Sequence, residues 1–416
     1  MLKICTINKK FTNLFLGTLI TVLGNNIQRI AIPLFVLEQT GSSISAGVLL
    51  AVSYIPNILL FPIGGVLADR YSKVKIMIIS DLISLITLVI TLSILLIKFD
   101  VIYIYILTVS LSVLSSFFLP AAKSIVPFIV DEKKLGHANS LINFAITTSE
   151  LIAPFLSIFL YSTFWGIEGI LIINIISFAF SIYFESKIKE EISSSNTRNL
   201  SLKNKDAKKF IEFTEYKEVL CNLVNKKAIF MGTISGGLIN TLMAPIVTLG
   251  YIYIVKEVLE TSVYLISYVE TSLVGGTVIG TILYNYFKDK KNIISTNVLI
   301  IGFSFVVIAI SIMISSNILF ILINLILGVS ISIFNIALIT EVNKKVDKVI
   351  QGKTISFIHT VSIIGVPLGN YFLGYSLEIF GILNILIFSF IVISFIGLIA
   401  LLYEKREGET NVEVDC

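Results

Sequence analysis

Four ionisable side chains interrupt long apolar runs: Arg29, Asp81, Glu150 and Glu270. A charge in such a setting is costly and marks a candidate for function. Burial favours the neutral form of a carboxyl. A carboxylate opened to one side at a time can therefore take up a proton there and release it on the other side. Glu150 and Glu270 are candidates to carry such a coupling proton, with Arg29 neutralising one of them when it is ionised. The alternative reading is that each carboxylate hydrogen-bonds or pairs for structure alone. Enzymatic chemistry has no footing: there is no phosphate loop, nucleophile triad or zinc motif. The two histidines, His137 and His359, and the three cysteines, Cys5, Cys221 and Cys416, show no metal-ligand spacing. No metal, no cofactor and no disulfide framework is expected.

The elements that hold these charges follow from composition. Of 416 residues, 56% are hydrophobic and 14% charged, where soluble domains carry roughly a quarter. So much apolar sequence calls for lipid as the solvent. A helix crosses the hydrocarbon in roughly 20 residues, and backbone groups there must bond within the helix. Twelve such runs are present, at about 11–37, 45–67, 76–97, 101–122, 137–162, 168–186, 228–255, 262–286, 293–315, 318–340, 354–377 and 383–403. With the N-terminus inside, nearly every loop Lys and Arg falls on the inner side, and only Lys98 and Lys256 fall outside. That asymmetry predicts a multi-pass plasma-membrane protein with both termini cytoplasmic. The Ile-, Asn- and Lys-rich usage points to a bacterial source. At ~1.5 Å per residue, Glu150 lies ~21 Å and Arg29 ~27 Å from the cytoplasmic edge, and Glu270 ~12 Å from the outer one. Asp81 lies only ~7 Å from the cytoplasmic edge.

A charged segment, 187–227, divides the runs into an N-terminal half, 1–186, and a C-terminal half, 228–416. Its later part places Phe210, Phe213, Tyr216, Val219, Leu220 and Leu223 at helical spacing, which predicts a helix along the membrane surface. A disordered tether is the alternative. The halves echo each other at a nearly constant offset. Gly17-Thr18 answers Gly232-Thr233, and Ser53-Tyr54 answers Ser267-Tyr268. Phe144, Thr147, Ser149 and Pro154 answer Phe357, Thr360, Ser362 and Pro367. Such duplication predicts a binding cavity between the halves near the midplane, and transport by rocking one against the other.

The loop after the second run reads Gly64-Gly65-Val66-Leu67-Ala68-Asp69-Arg70-Tyr71-Ser72-Lys73-Val74-Lys75. It resembles the signature loop of the major facilitator superfamily. Ser72 stands where a second Gly is usual, and Val74 interrupts the basic pair. Within that family the N-terminal third is similar to the macrolide-efflux branch. The likeness rests on Leu23-Gly24-Asn25-Asn26, Ala31-Ile32-Pro33-Leu34, Glu38-Gln39-Thr40-Gly41-Ser42, Ile55-Pro56 and Ser80-Asp81-Leu82.

The resemblance implies an all-α membrane fold of two pseudo-symmetric six-helix halves. It implies that Gly65, Asp69, Arg70 and Lys73 form a cytoplasmic latch, with Asp81 paired to that loop. It sets spans 5 and 8, and so Glu150 and Glu270, face to face across the interface. Asn25, Asn26, Gln28 and Asn240 fall on spans that line the cavity in this family. Ser149, Ala153, Pro154 and Ser157 stand where drug–proton antiporters carry a glycine-rich packing motif, with small residues in place of the glycines. The expected function is a secondary exporter of small amphipathic molecules, coupled to protons or another ion. Transport of a siderophore, sugar or peptide is the alternative, and a lipid-moving protein is the alternative of another class. Membrane lipids are the expected contacts of the basic middle segment, with no nucleic acid, and the chain is expected to act as a monomer.

Overall fold

The computed structural model describes residues 7–98, 100–163, 166–188, 223, 226–287, 292–346 and 348–410. The N-terminal half contains α1 (Lys9–Thr40), α2 (Ser43–Arg70), α3 (Lys73–Ile97), α4 (Val101–Ser124), α5 (Leu135–Thr163) and α6 (Gly166–Glu185). The C-terminal half begins with α7 (Lys227–Val258), whose later part is wound as two π-helical stretches after Pro245. It continues through α8 (Tyr264–Phe287), α9 (Ile293–Met313) and α10 (Asn317–Lys345). A last helical run, Lys348–Thr410, breaks at Gly381, which has φ 70° and ψ 160°. That break separates α11 (348–380) from α12 (382–410). Among the described residues, eleven long apolar helices thus provide twelve spans, because the last one holds two. No strand occurs among the described residues.

Local chemistry sets several helix starts. Asn8, Ser42, Ser72 and Ser316 each accept from the backbone N–H three residues on, and Asp100 accepts from that of Ile102. These contacts satisfy donors that a helix start leaves free. The start of α1 and the end of α12 lie on one face of the bundle, called here the terminal face; the opposite one is the distal face. The outward surface is apolar: α3 exposes Ile79, Ile83, Ile86 and Ile90 as a stripe. The inside holds buried polar groups such as Asp81, Ser116, Asn174, Glu185 and Asn324. That arrangement suits lipid rather than water as the surrounding solvent.

The pairings repeat between the halves. In the first, α1 packs on α5, α2 on α4, and α3 on α4 and α6; in the second, α7 packs on α11, α8 on α10, and α9 on α10 and α12. The halves meet where α2 crosses α11 and where α5 crosses α8. These two crossings are equivalent under the same duplication.

At the α2–α11 crossing, a Cβ on Gly47 would lie 2.6 Å from the Asn370 carbonyl oxygen and 2.8 Å from the Gly374 Cα. Only glycine allows the backbones so close.

The segment carrying Phe210, Phe213, Tyr216, Val219 and Leu220 lies outside the described residues, as do Cys5, Cys221 and Cys416.

Candidate functional site

A cavity of about 490 Å³ opens among α1 to α6, with Thr248 of α7 as a wall from the other half. It runs from the level of Pro33 and Leu50 to Lys123, in the last turn of α4, and so reaches the terminal face. Its wall mixes apolar groups such as Val22, Ile32, Leu49 and Leu111 with the amides of Asn25, Asn26, Gln28 and Asn57. Three of these amides, Asn25, Asn26 and Gln28, come from α1. Asn240, on α7, is half-buried and does not line this cavity.

The amides are held from behind. Asn174 of α6 donates from Nδ2 to Gln28 Oε1 and, at 3.4 Å, to Asn25 Oδ1. Asn57 donates to Ser112 Oγ at 3.0 Å and accepts from Ser116 Oγ at 3.0 Å. A polar group without such partners would be costly here.

Arg29 lies within electrostatic reach of two of the other three charges. Arg29 and Glu150 both line the cavity. The Arg29 guanidinium acts electrostatically on the carboxyls of both Glu150 and Glu270. Arg29 and Glu150 belong to the first half and Glu270, buried on α8, to the second. Beside them the halves are stitched together. Ser267 donates to the Pro154 carbonyl at 3.0 Å, and Thr271 to that of Leu151 at 3.2 Å.

The small residues of α5 explain this fit. Ser149, Ala153, Pro154 and Ser157 are all buried, and Ser157 donates to the Ile27 carbonyl of α1 at 2.8 Å. Proline at 154 frees a carbonyl from the helix ladder, although the carbonyl that Ser267 uses is that of Pro154 itself.

The distal face is sealed. Lys256 of α7 meets Glu38 of α1 at 2.6 Å, and Tyr161 of α5 donates to the other Glu38 oxygen at 2.5 Å. Glu378 of α11 accepts from Ser42 Oγ at 2.9 Å and from the Ile44 N–H at 3.2 Å. Hydrogen bonds and an ion pair between the halves run from this seal inward to Thr271 and Leu151.

The major facilitator superfamily model matches residues 14–362, most of the chain. The chain belongs to the major facilitator superfamily. It is a multi-pass membrane transporter and not an enzyme. Macrolide efflux protein A of Streptococcus pyogenes is 23% identical over 377 residues, covering 86% of this chain and 87% of that protein. An uncharacterised MFS-type transporter, YkuC, of Bacillus subtilis (strain 168) is 27% identical over 291 residues, covering 68% and 66%. Among solved structures, a bacterial homologue of the iron transporter ferroportin in the inward-facing state aligns with a TM-score of 0.73 at 14% identity, covering 94% and 98%. The peptide transporter POT, in complex with sulfate, aligns with a TM-score of 0.74 at 13% identity, covering 96% and 95%. At such identities these two structures speak for the major facilitator fold alone.

In this major facilitator chain the signature loop sits at the α2–α3 turn on the terminal face. Asp69 lies in the last turn of α2, and its side chain is outside those described. Arg70 is exposed, and the Lys73 ammonium lies 4.4 Å from the centre of the Phe128 ring. A Cβ on Gly65 would meet nothing within 4 Å; the neighbour Gly64 is the packed one, against Ser116 of α4.

Asp81 corrects the sequence expectation. It does not pair with the signature loop but turns into the first half, where Thr21 Oγ1 donates to its Oδ2 at 3.2 Å. The reason is rotational: its position on α3 faces α1 and α6, not the loop. Sequence reasoning missed Asn174 and Glu185. Asn174 is a lone amide in an apolar run, which was the available signal. Glu185 fell at a run's end and read as a boundary charge.

Proposed function

We propose that this transporter is a proton-coupled exporter of small amphipathic molecules, macrolide-like drugs or related metabolites, working by alternating access. The observation that carries the reading is Arg29, which lines the cavity together with Glu150 and acts electrostatically on the carboxyls of both Glu150 and Glu270. One carboxyl belongs to each half. Parting the halves at the distal face takes Glu270 away from Arg29. The balance of charge then changes at both carboxyls, which favours a change of protonation. A proton taken up on one side is thereby tied to the state of the gate, and substrate binding to the same gate.

The termini lie in the cytoplasm, so the cavity mouth opens there. Residues 1–186 and 228–416 rock as two bodies, joined by 187–227. The latch of Gly65, Asp69, Arg70 and Lys73 engages when the terminal face closes. The cavity suits an amphipathic cargo, since its wall sets apolar groups beside the amides Asn25, Asn26, Gln28 and Asn57 and the charged Arg29, Asp81, Lys123 and Glu150. The likeness to macrolide efflux protein A supports an outward direction and that cargo class. The protein acts as a monomer in a bacterial plasma membrane.

The test is efflux of a dye and a macrolide from energised cells, with and without a protonophore. Export that collapses with the gradient, and in Glu150→Gln or Glu270→Gln, supports the reading. Gradient-driven export that survives both substitutions ends the proton assignment. No export of any drug would shift the cargo to a native metabolite or a lipid.

A further inference from the structure

A second carboxyl pair lies away from the Glu150–Glu270 junction, wholly within the first half. Asp81 of α3 and Glu185 of α6 face each other closely enough for the charge of one to act on the other. Glu185 is fully buried and Asp81 nearly so, 0% and 2% exposed. The Ser181 hydroxyl stands between them. It donates to Glu185 Oε1 at 3.1 Å and also lies at the Asp81 carboxyl. Thr21 of α1 donates to Asp81 at 3.2 Å. Gly17 of α1 makes the room: a Cβ there would lie 3.4 Å from Glu185 Cγ and 3.5 Å from Ser181 Oγ. The Gly17 carbonyl faces the Ser181 hydroxyl at 3.4 Å.

The hydrogen-bond inventory does not close. Ser181 and Thr21 supply one hydroxyl proton each, against four carboxyl oxygens. Glu185 Oε2 is buried and has no partner at all. No Lys, Arg or His among the described residues pairs with either carboxyl, and from α1, α3 and α6 no other charged group acts on them. Two ionised carboxylates side by side in an apolar interior repel strongly, and such pairs hold together by sharing a positive charge. An orphaned, fully buried carboxylate oxygen is itself costly. Asp81 lines the central cavity while Glu185 does not. The pair is thus reached from the cavity through Asp81 and closed behind Glu185.

We propose that Asp81 and Glu185, with Thr21, Ser181 and the Gly17 carbonyl, form a binding site for one small monovalent cation, a proton or Na⁺, that exchanges with the central cavity. Every ligand is a hard oxygen, the donor type that suits such an ion. With a proton, Glu185 Oε2 becomes the donor that the pair lacks. With Na⁺, the carboxylates and the neighbouring oxygens form the shell. The site does not depend on the junction of Arg29, Glu150 and Glu270, because all its parts move with one half.

The purified full-length protein in nanodiscs decides it, free of any transport assay. Infrared spectra are compared for the wild type, Asp81→Asn and Glu185→Gln, and thermal melting is followed in Na⁺ against choline. A band of a buried un-ionised carboxyl that disappears in either variant, without a Na⁺ effect, identifies a proton. Protection by Na⁺ that both variants lose identifies sodium. The Gln side chain has the shape of the neutral acid and can donate to Asp81, so Glu185→Gln is expected to fold. If neither the band nor Na⁺ protection distinguishes the wild type, the proposal is overturned. Failure of Glu185→Gln to fold, with the band unchanged in Asp81→Asn and no Na⁺ protection of the wild type, overturns it as well.

Discussion

Glu378 of one half caps a helix of the other: its carboxylate accepts from the Ile44 N–H, in the first turn of α2, at 3.2 Å. A carboxylate at a helix start is favoured by the free N–H groups and the helix dipole. Here the helix and its cap belong to different halves of the chain. Under alternating access as proposed, the cap would be lost when the distal face opens.

Removing that cap should open the distal face. A helix cap contributes about 1 kcal/mol, and a partly exposed ion pair such as Glu38–Lys256 up to about 1 kcal/mol. Glu378→Ala combined with Lys256→Met should shift the balance toward a distal-open state by on the order of tenfold. Spin labels on the distal ends of α2 and α11 measure this as a longer inter-label distance. Unchanged distances would show that the apolar α2–α11 contact alone holds the seal.

The Gly47–Gly374 crossing makes a different demand. A Cβ on Gly374 would lie 2.6 Å from the Ser43 carbonyl oxygen and 3.1 Å from Gly47 Cα. These are backbone atoms and cannot swing aside. Gly374→Val should keep the faces apart and abolish efflux while the protein still reaches the membrane. Normal efflux with normal membrane levels would refute a tight crossing as a step in the cycle.

Arg29 balances two carboxyls, so its loss should hurt more than the loss of either partner. Arg29→Met is expected to stop gradient-driven export. Glu270→Gln is expected to keep substrate exchange across the membrane while losing its response to a pH gradient. Counterflow and gradient-driven uptake in proteoliposomes separate the two effects. A Glu270→Gln variant that still responds fully to the gradient would remove Glu270 from coupling.

Asn174 touches no solvent, yet it orients two side chains of α1. Asn174→Leu leaves the buried Gln28 oxygen without its donor, at a cost of about 1–3 kcal/mol. A lower melting temperature and weaker substrate binding are expected together. A change in melting alone would make the amide structural only.

Much of the architecture was readable before any coordinates. Lipid forces the backbone to bond within each helix, so the span count follows from run length, and the offset between the halves reveals their duplication. Depth along a span was readable too, because rise per residue is constant. That is why Glu150 and Glu270 could be set at similar heights.

What only the tertiary structure decided is which faces meet. Helix rotation and tilt are set by packing against neighbours and leave little trace in linear spacing. Asp81, near the signature loop in sequence, turns toward Glu185, whose partner lies three spans away. Glu378 reaches the start of α2 across the whole length of the chain between them. Asn240 shares the amide chemistry of Asn25 but lies off the cavity. The sequence by itself determined that this chain crosses a membrane as two related halves with charges at matching depths. The folded bundle alone determined which of those charges share a cavity, because contact between helices depends on rotation about axes that the sequence does not record.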